Sequence, residues 1–304
     1  MRITLIHNPE AGDNDRPSGD QLVKLIRGAG HSAVYHSSKV DNWDSALKEP
    51  GDIVAVAGGD GMVGKVAKRL IGSHIPIAVL PMGTANNIAK ALGLAERSLE
   101  DLISEWTHAR KIKFDVGLAT GAWGSTCFIE SLGLGLFTQT MYRLDARDNI
   151  DLAHADDTEK KITSVLELLQ GRLQSCAAKA LQLTIDDHDL SGQYVLVEVM
   201  NIRSIGPNLC LAPDADPGDG LLDVVLVPKG EENKLSRYLS DCIAGKPSSP
   251  DLTVRKGRRL QFEWEGSVVH IDDEVWPEDG SIITRPPIIT VKVNPESVHF
   301  LITA

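Results

Sequence analysis

The feature that most constrains the fold is a pair of consecutive strand–loop–helix patterns between Ile53 and Leu94. The first pattern starts with the apolar run Ile53 to Ala57, which is typical of a strand buried on both faces of a parallel sheet. A glycine-rich turn follows, and then a segment with apolar residues at helical spacing. The second pattern has a strand at Ile75 to Leu80 and a helix through Ala91. Two such units in tandem predict an α/β domain.

The glycine-rich turn of the first unit predicts a phosphate-binding loop. Its members are Gly58, Gly59, Asp60 and Gly61. Glycines permit positive φ angles and leave no Cβ in the way of a ligand, so backbone N–H groups and the start of the next helix can point at phosphate oxygens. A carboxylate in this loop would repel a bare phosphate unless Mg²⁺ lies between them. We therefore expect the Mg²⁺ complex of a nucleoside triphosphate.

The turn of the second unit repeats the signal with Gly83, followed by Thr84 and Asn86. Thr84 is expected either to cap the following helix or to turn its hydroxyl toward a phosphate. The stretch from Gly59 to Lys65 also fits the general phosphate-loop pattern. However, the next residue, Val66, has no hydroxyl for Mg²⁺, so that interpretation is rejected.

The N-terminal residues extend the same alternation of strands and helices. Arg2 to His7 reads as a strand, Ser18 as the N-cap of a helix that ends near Gly28, and Ala33 to His36 as the next strand. Asp41 is expected to cap a short helix. This order predicts a doubly wound parallel sheet, in which ligands bind at the carboxyl ends of the strands.

The second half of the chain has a different pattern, rich in short strand signals. Two helices, Thr158 to Leu173 and Glu232 to Ile243, interrupt an otherwise antiparallel, sandwich-like β domain. We expect an α/β nucleotide domain at residues 1–113 and a β-rich domain at 114–293. The predicted strands are Lys111–Leu118, Thr126–Leu132, Ala180–Asp186, Tyr194–Ile202, Leu222–Val227, Leu260–Trp264, Ser267–Ile271, Ile282–Thr284 and Ile288–Val293.

Composition excludes several classes of function. A net charge of −11 argues against nucleic-acid binding, and no apolar run approaches the roughly 20 residues that span a bilayer. The four cysteines are far apart and form no CxxC pair, so neither a zinc site nor a disulfide framework is expected. The basic cluster from Arg255 to Arg259 could meet lipid headgroups, but a solvated turn between two strands is the preferred interpretation.

The two glycine turns carry a family resemblance. A GGDG motif about two dozen residues before P-x-G-T-x-N closely resembles the catalytic domain of the diacylglycerol kinase and lipid kinase family, which includes sphingosine kinases. The segments Gly206–Val224 and His270–Val275 resemble further elements of that family. The resemblance implies an ATP- and Mg²⁺-dependent kinase acting on a lipid hydroxyl such as that of diacylglycerol. It also implies that residues 294–304 return to the α/β domain at 1–113. A cytoplasmic protein with transient membrane contact is expected, and a homodimer is allowed.

The resemblance also assigns roles to particular residues. Asp272 would be the general base with Glu274 as its partner, and Asn8 would help to hold the nucleotide. Asp60 and Asp115 would share an Asp–water–Mg²⁺ network, although a surface position on an edge strand is an equal alternative for Asp115. Asp219 would hold a structural Mg²⁺.

The chain departs from the family pattern at four positions. Asp273 stands where the family has glycine, Asn87 replaces an acidic residue, Met62 a small hydroxyl residue, and Lys90 the usual arginine. Two alternatives therefore stay open. One is an NAD kinase, which shares GGDG but uses an N-E dipeptide that is absent downstream here. The other is a catalytically silent nucleotide- or lipid-binding protein.

Overall fold

The computed structural model describes residues 1–12, 16–146, 158–264, 268–277 and 288–303. The chain forms two compact units. The first contains Met1–Val116 and Pro295–Ala304, and the second contains Gly117–Asn294.

The elements follow in chain order. The strands are β1 (Arg2–His7), β2 (Ser32–Ser37), β3 (Ile53–Gly58), β4 (Ile77–Pro81), β5 (Arg110–Phe114), β6 (Gly117–Gly121), β7 (Gly124–Phe128), β8 (Ser131–Gly135), β9 (Lys179–Ile185), β10 (His188–Asp189), β11 (Gly192–Met200), β12 (Ser204–Ile205), β13 (Leu209–Cys210), β14 (Leu222–Pro228), β15 (Thr253–Gly257), β16 (Arg259–Trp264), β17 (Val269–Ile271), β18 (Glu274–Trp276), β19 (Ile288–Val293) and β20 (Val298–Ile302). The α-helices are α1 (Gly19–Gly28), α2 (Asp60–Arg69), α3 (Asn87–Ala91), α4 (Leu99–Ser104), α5 (Leu136–Ala146), α6 (Thr158–Leu173) and α7 (Glu232–Ile243).

The first unit is the expected doubly wound α/β domain. Its sheet has the order β2-β1-β3-β4-β20-β5, and every pairing is parallel except that of β5 with β20. Helix α1 packs with α4, and α2 packs with α3. The strand order reverses between β1 and β3, and ligands bind open α/β sheets beside such a switch point.

The helix starts of this unit were predicted with mixed success. Ser18 caps α1 as expected, in a capping box whose two bonds link Ser18 and Gln21. The cap assigned to Asp41 was wrong. The short helix there is a 3-10 helix at Trp43–Leu47, and its N-cap is Asn42, which has left-handed backbone angles and makes no side-chain capping bond.

The second unit is built on an antiparallel sheet that curls into a sandwich-like domain and contains twelve strands among the described residues. One apolar layer joins residues such as Phe128, Phe262 and Val291 from several strands. The other layer covers the opposite side of β11 and β14 with α5, α6 and α7, through residues such as Leu169 and Leu235. From Leu196 to Met200, alternate residues of β11 face opposite sides, as the two-residue period of a strand requires, and a bulge between Tyr194 and Leu196 interrupts the pattern before that.

Most predicted strands of this unit are confirmed, but two predictions merged separate strands. Lys111–Leu118 is split into β5 and β6 at Asp115 and Val116, and Thr126–Leu132 is split into β7 and β8. The predicted strand Ile282–Thr284 lies outside the described residues. A single apolar run therefore did not reveal where one strand ends and the next begins.

Candidate active site

Three loops of the first unit meet at the carboxyl ends of β1, β3 and β4. The backbone N–H of Asn8 donates to Ala57 O at 2.9 Å, which joins the first loop to the end of β3. The N–H of Met82 donates to Gly58 O at 3.0 Å, which joins the second loop to the third. At Gly12, where φ is +76°, a Cβ would lie 2.2 Å from Met82 O. The sheet therefore gathers the predicted nucleotide loops beside its switch point.

The two glycine turns lie in direct backbone contact. A Cβ on Gly83 would lie 2.4 Å from Gly59 Cα, and a Cβ on Gly59 would lie 3.1 Å from Gly83 Cα. The expectation that the GGDG glycines supply positive φ was wrong, because none of Gly58, Gly59 or Gly61 has a positive φ. Gly59 and Gly83 are instead required because two main chains approach closely.

The carboxylate of Asp60 bridges the same two turns. One oxygen accepts from Asn87 N at 2.8 Å and the other from Ile88 N at 2.9 Å, both in the first turn of α3. Burial raises the pKa of Asp60, although the two N–H groups and the charge of Lys90 act to lower it. Burial lowers the pKa of Lys90, and Asp60 opposes that shift. Asp60 is thus a fixed, partly buried carboxylate beside the glycine contact.

The second turn is held by its own side chain. Asn86 has left-handed backbone angles, its Oδ1 accepts from Gly83 N at 2.9 Å, and its Nδ2 donates to Gly83 O at 2.8 Å. The N-cap of α3 is therefore Asn86, which makes no side-chain capping bond, and the capping alternative for Thr84 was wrong. Thr84 is exposed at this turn.

Asp115 lies at a different edge of the sheet. It is buried, and its side chain lies 3.9 Å from Lys113 Nζ, so the alternative of a surface position was wrong. Strand β5 runs antiparallel to β20, and β20 runs parallel to β4. Asp115 therefore follows β5 at the end of the sheet where β4 begins, one strand removed from β4. Asp60 follows the carboxyl end of β3. This register argues against an Mg²⁺ network shared by the two.

In the second unit, Asp272 lies in the tight turn between β17 and β18. Its φ is +52°, and its carboxylate accepts from the backbone N–H groups of Ile129 (3.1 Å), Glu130 (2.8 Å) and Ser131 (3.3 Å). Its own N–H donates to Ser131 O at 2.8 Å. The left-handed conformation thus turns the side chain back onto the segment that connects β7 to β8.

The neighbouring acidic residues are placed differently. Asp273 and Glu274 are both exposed. Asp273 does not have a positive φ, so replacing the family's glycine there causes no backbone strain. The residue that adopts the demanding conformation is Asp272, and aspartate is among the few side chains that tolerate it.

A buried His–Glu pair lies directly behind this turn and was not predicted from the sequence. His270 Nε2 and Glu198 Oε2 are 2.9 Å apart, and the two side chains are 1% and 0% exposed. His270 Nδ1 is 3.1 Å from Asp272 O. Burial acts to lower the pKa of His270, but the charge and hydrogen bond of Glu198 outweigh it and raise that pKa. Burial raises the pKa of Glu198.

One sequence signal could have pointed to this pair. Glu198 stands alone among apolar residues in the middle of a strand, and Gly133 lies opposite it, where a Cβ would come within 2.0 Å of its carboxylate. A lone acidic residue in a buried strand requires a partner. The partner, 72 residues away, could not be identified from spacing.

Asp219, the predicted ligand of a structural cation, is bonded to a lysine. Lys256 Nζ lies 2.9 Å from Asp219 Oδ2 and 3.5 Å from Asp223 Oδ2. Across the residues that the structure describes, no group of three or more His, Cys, Asp or Glu side chains is arranged to hold a metal ion. At Asp219 the Lys256 ammonium therefore lies against the oxygens where the resemblance implies a cation.

Two family models match the chain. The diacylglycerol kinase catalytic domain matches residues 2–119. The YegS C-terminal NAD kinase beta sandwich-like domain matches residues 144–302, and this second match alone covers more than half of the chain. With its two-unit fold, the chain belongs to the diacylglycerol kinase-like family of kinases.

Individual relatives agree with this assignment. The chain is 24% identical over 283 residues to a diacylglycerol kinase of Mycobacterium tuberculosis, with 90% of this chain and 85% of the relative covered. A diacylglycerol kinase of Bacillus subtilis is 23% identical over 256 residues, covering 81% and 80% of the two chains.

Solved structures share the fold at low sequence identity. A crystal structure of a diacylglycerol kinase from Bacillus anthracis superposes with a TM-score of 0.68 at 21% identity, covering 99% of this chain and 97% of the other. An NAD kinase from Archaeoglobus fulgidus in complex with ATP gives a TM-score of 0.51 at 11% identity, covering 100% and 94%. The helices among the described residues include none that is long and apolar enough to cross a membrane.

Proposed function

We propose that this protein transfers the γ-phosphate of ATP to the hydroxyl of a lipid alcohol such as diacylglycerol. The observation that carries the proposal is the contact of Gly59 with Gly83, because these two turns meet without side chains between them beside the switch point of the sheet. Such a surface lets backbone groups approach phosphate oxygens. The family relationship gives the reaction class, and the relatives named diacylglycerol kinases suggest the substrate class.

Asp60 fits the place of a magnesium-binding carboxylate in this proposal. It is fixed by two hydrogen bonds from the first turn of α3 and lies in the glycine turn itself. Bound Mg²⁺ would neutralise charge on the phosphates during transfer. Asn8, Gly58, Gly61, Thr84 and Asn86 belong to the same three loops and are proposed to line the nucleotide site.

Asp272 is proposed as the residue that accepts the proton of the lipid hydroxyl. Its carboxylate is oriented by three backbone N–H groups and by its left-handed backbone. Orientation of the carboxylate is the main requirement, because enzymes catalyse phosphoryl transfer mostly by positioning the reactants and stabilising charge. Glu274, two residues further along, is proposed to support it. Transient membrane contact is proposed as well, because the proposed substrate resides in the bilayer. A cytoplasmic location is part of the same proposal and rests on the family relationship alone.

A transfer assay with radiolabelled ATP tests the substrate class. The acceptors are diacylglycerol, monoacylglycerol, ceramide and sphingosine in mixed micelles, and NAD and glycerol in solution. Labelled lipid with no labelled NAD is the expected result. Labelled NAD would instead favour the second candidate, an NAD kinase. This candidate is considered because the chain shares its fold with the archaeal NAD kinase in complex with ATP. If ATP binds but nothing is labelled, the silent nucleotide-binding alternative gains support.

A further inference from the structure

The loop that the resemblance marks as a cation site is closed in this chain by one of its own side chains. The loop runs from Asp214 to Asp223 and enters β14. Asp216 Oδ1 accepts from Gly218 N and Asp219 Oδ1 accepts from Leu221 N, both at 2.9 Å, while Gly220 has a φ of +74°. These local bonds leave the other oxygen of Asp219, Oδ2, directed at Lys256.

The Lys256 ammonium contacts three oxygens of the loop. They are Asp219 Oδ2 at 2.9 Å, the backbone oxygen of Asp214 at 3.2 Å and Asp223 Oδ2 at 3.5 Å. Two carboxylates and a main-chain carbonyl are the kind of oxygen ligands that hard cations prefer. In this protein the positive charge that contacts these oxygens is the lysine ammonium.

The sheet fixes this ammonium in place. Lys256 lies on β15, and the antiparallel register places it directly opposite Asp223 on β14. The Asp223 side chain is only 3% exposed, so a cation next to it is required for a buried carboxylate to stay charged. Burial raises the pKa of Asp223, and Lys256 opposes that shift.

The lysine carries its own positive charge into this cluster, 2.9 Å from one carboxylate oxygen and 3.5 Å from another. A divalent cation bound at Asp219 Oδ2 would lie within a few ångströms of the ammonium, and the two positive charges would repel each other. The lysine and a metal ion therefore compete for the same oxygens.

We propose that the Lys256 ammonium takes the place of a structural divalent cation in the loop from Asp214 to Asp223. The loop is then held by a covalently attached charge, and its order is independent of the free Mg²⁺ or Ca²⁺ concentration. This proposal does not rest on the kinase activity, because it concerns the folding of the second unit alone.

Thermal unfolding without nucleotide tests the proposal. The wild-type protein and K256M are melted in EDTA and in increasing MgCl₂ or CaCl₂. The wild-type melting temperature should not change with either metal. K256M should melt at a lower temperature in EDTA and recover part of the loss as metal is added, since the freed oxygens can then bind the ion. K256M combined with D219N should show no recovery.

Two control variants separate this effect from general changes in charge. R255M removes a positive charge from the adjacent position of β15, whose side chain points to the other face of the strand, and should melt like the wild type with no response to metal. K256R keeps a cation and should stay insensitive to metal even if K256M does not fold. A saturable, metal-dependent rise in the wild type that D219N abolishes would overturn the proposal. A K256M protein as stable as the wild type in EDTA would overturn it as well.

Discussion

Single carboxylates hold together segments that are far apart in the sequence. Asp60 accepts from N–H groups 27 and 28 residues further along, and Asp272 accepts from N–H groups more than 140 residues earlier. In both cases the acceptor is an acidic residue of a candidate site and the donors are backbone groups. The fold thus fixes the orientation of each carboxylate before any substrate binds, which is what positioning in catalysis requires.

Because of the pair of His270 and Glu198, the free energy of unfolding should decrease as the pH rises above neutrality. The pKa of His270 is higher in the folded protein than in the unfolded chain, where a histidine has a pKa of about 6.5. The contribution is therefore fully present below that pH and is lost as the pH rises through the raised pKa, with a slope of up to about 1.4 kcal/mol per pH unit.

Comparing the wild type with the E198Q variant tests this expectation. The variant removes the charge that raises the His270 pKa but keeps an oxygen near Nε2. Urea unfolding of both proteins between about pH 6 and pH 9 gives the free energies of unfolding. The advantage of the wild type over E198Q should shrink as the pH rises, because the wild type alone loses a bound proton. A constant difference across that range would contradict the expectation.

At the scale of elements, the sequence predicted what depends on local periodicity. The buried strand β3 and the helices α6 and α7 were predicted at nearly their observed bounds, because apolar spacing alone determines such elements. The break at Asp115 was missed because the flanking residues are apolar on both sides. Tertiary pairings such as that of Lys256 with Asp219 could not be predicted, because they depend on strand register between distant segments.

The contact between the two glycine turns makes Gly83 the more sensitive position for substitution. In G83A the new Cβ would meet the backbone of Gly59, which cannot rotate away as a side chain can. We expect a loss of about 1–3 kcal/mol in the free energy of unfolding, typical of overpacking, and a clear loss of ATP affinity in calorimetry.

G64A is the matched control for that substitution. Gly64 lies inside α2, and a Cβ there meets no atom within 4 Å. Alanine is the better helix former, so G64A should stabilise the protein by about 0.5–1 kcal/mol and leave ATP binding unchanged. If G83A behaves like G64A in both measurements, the close contact of the turns is not needed for nucleotide binding.

At the scale of the whole molecule, the proposed tasks are divided between two units that each have their own core. The glycine loops lie in the first unit, and Asp272 with its His–Glu support lies in the second. The change in sequence pattern near residue 114 led us to expect a boundary there, and GGDG and IDDE lie on different sides of it. A substitution in one unit should therefore separate nucleotide binding from turnover.

D272N tests that separation. Asparagine has nearly the same shape and an oxygen that can accept from the backbone N–H groups of residues 129–131, but it cannot take up a proton. Transfer of label from ATP to diacylglycerol should fall by roughly 10²- to 10⁴-fold, the usual range for loss of a general base, while calorimetry shows unchanged ATP affinity. D273N is the matched control, because Asp273 is the exposed neighbour in the same turn. A large loss of activity in D273N with little loss in D272N would assign the general base to Asp273 instead. Full activity in both variants would show that neither residue of this turn is the general base.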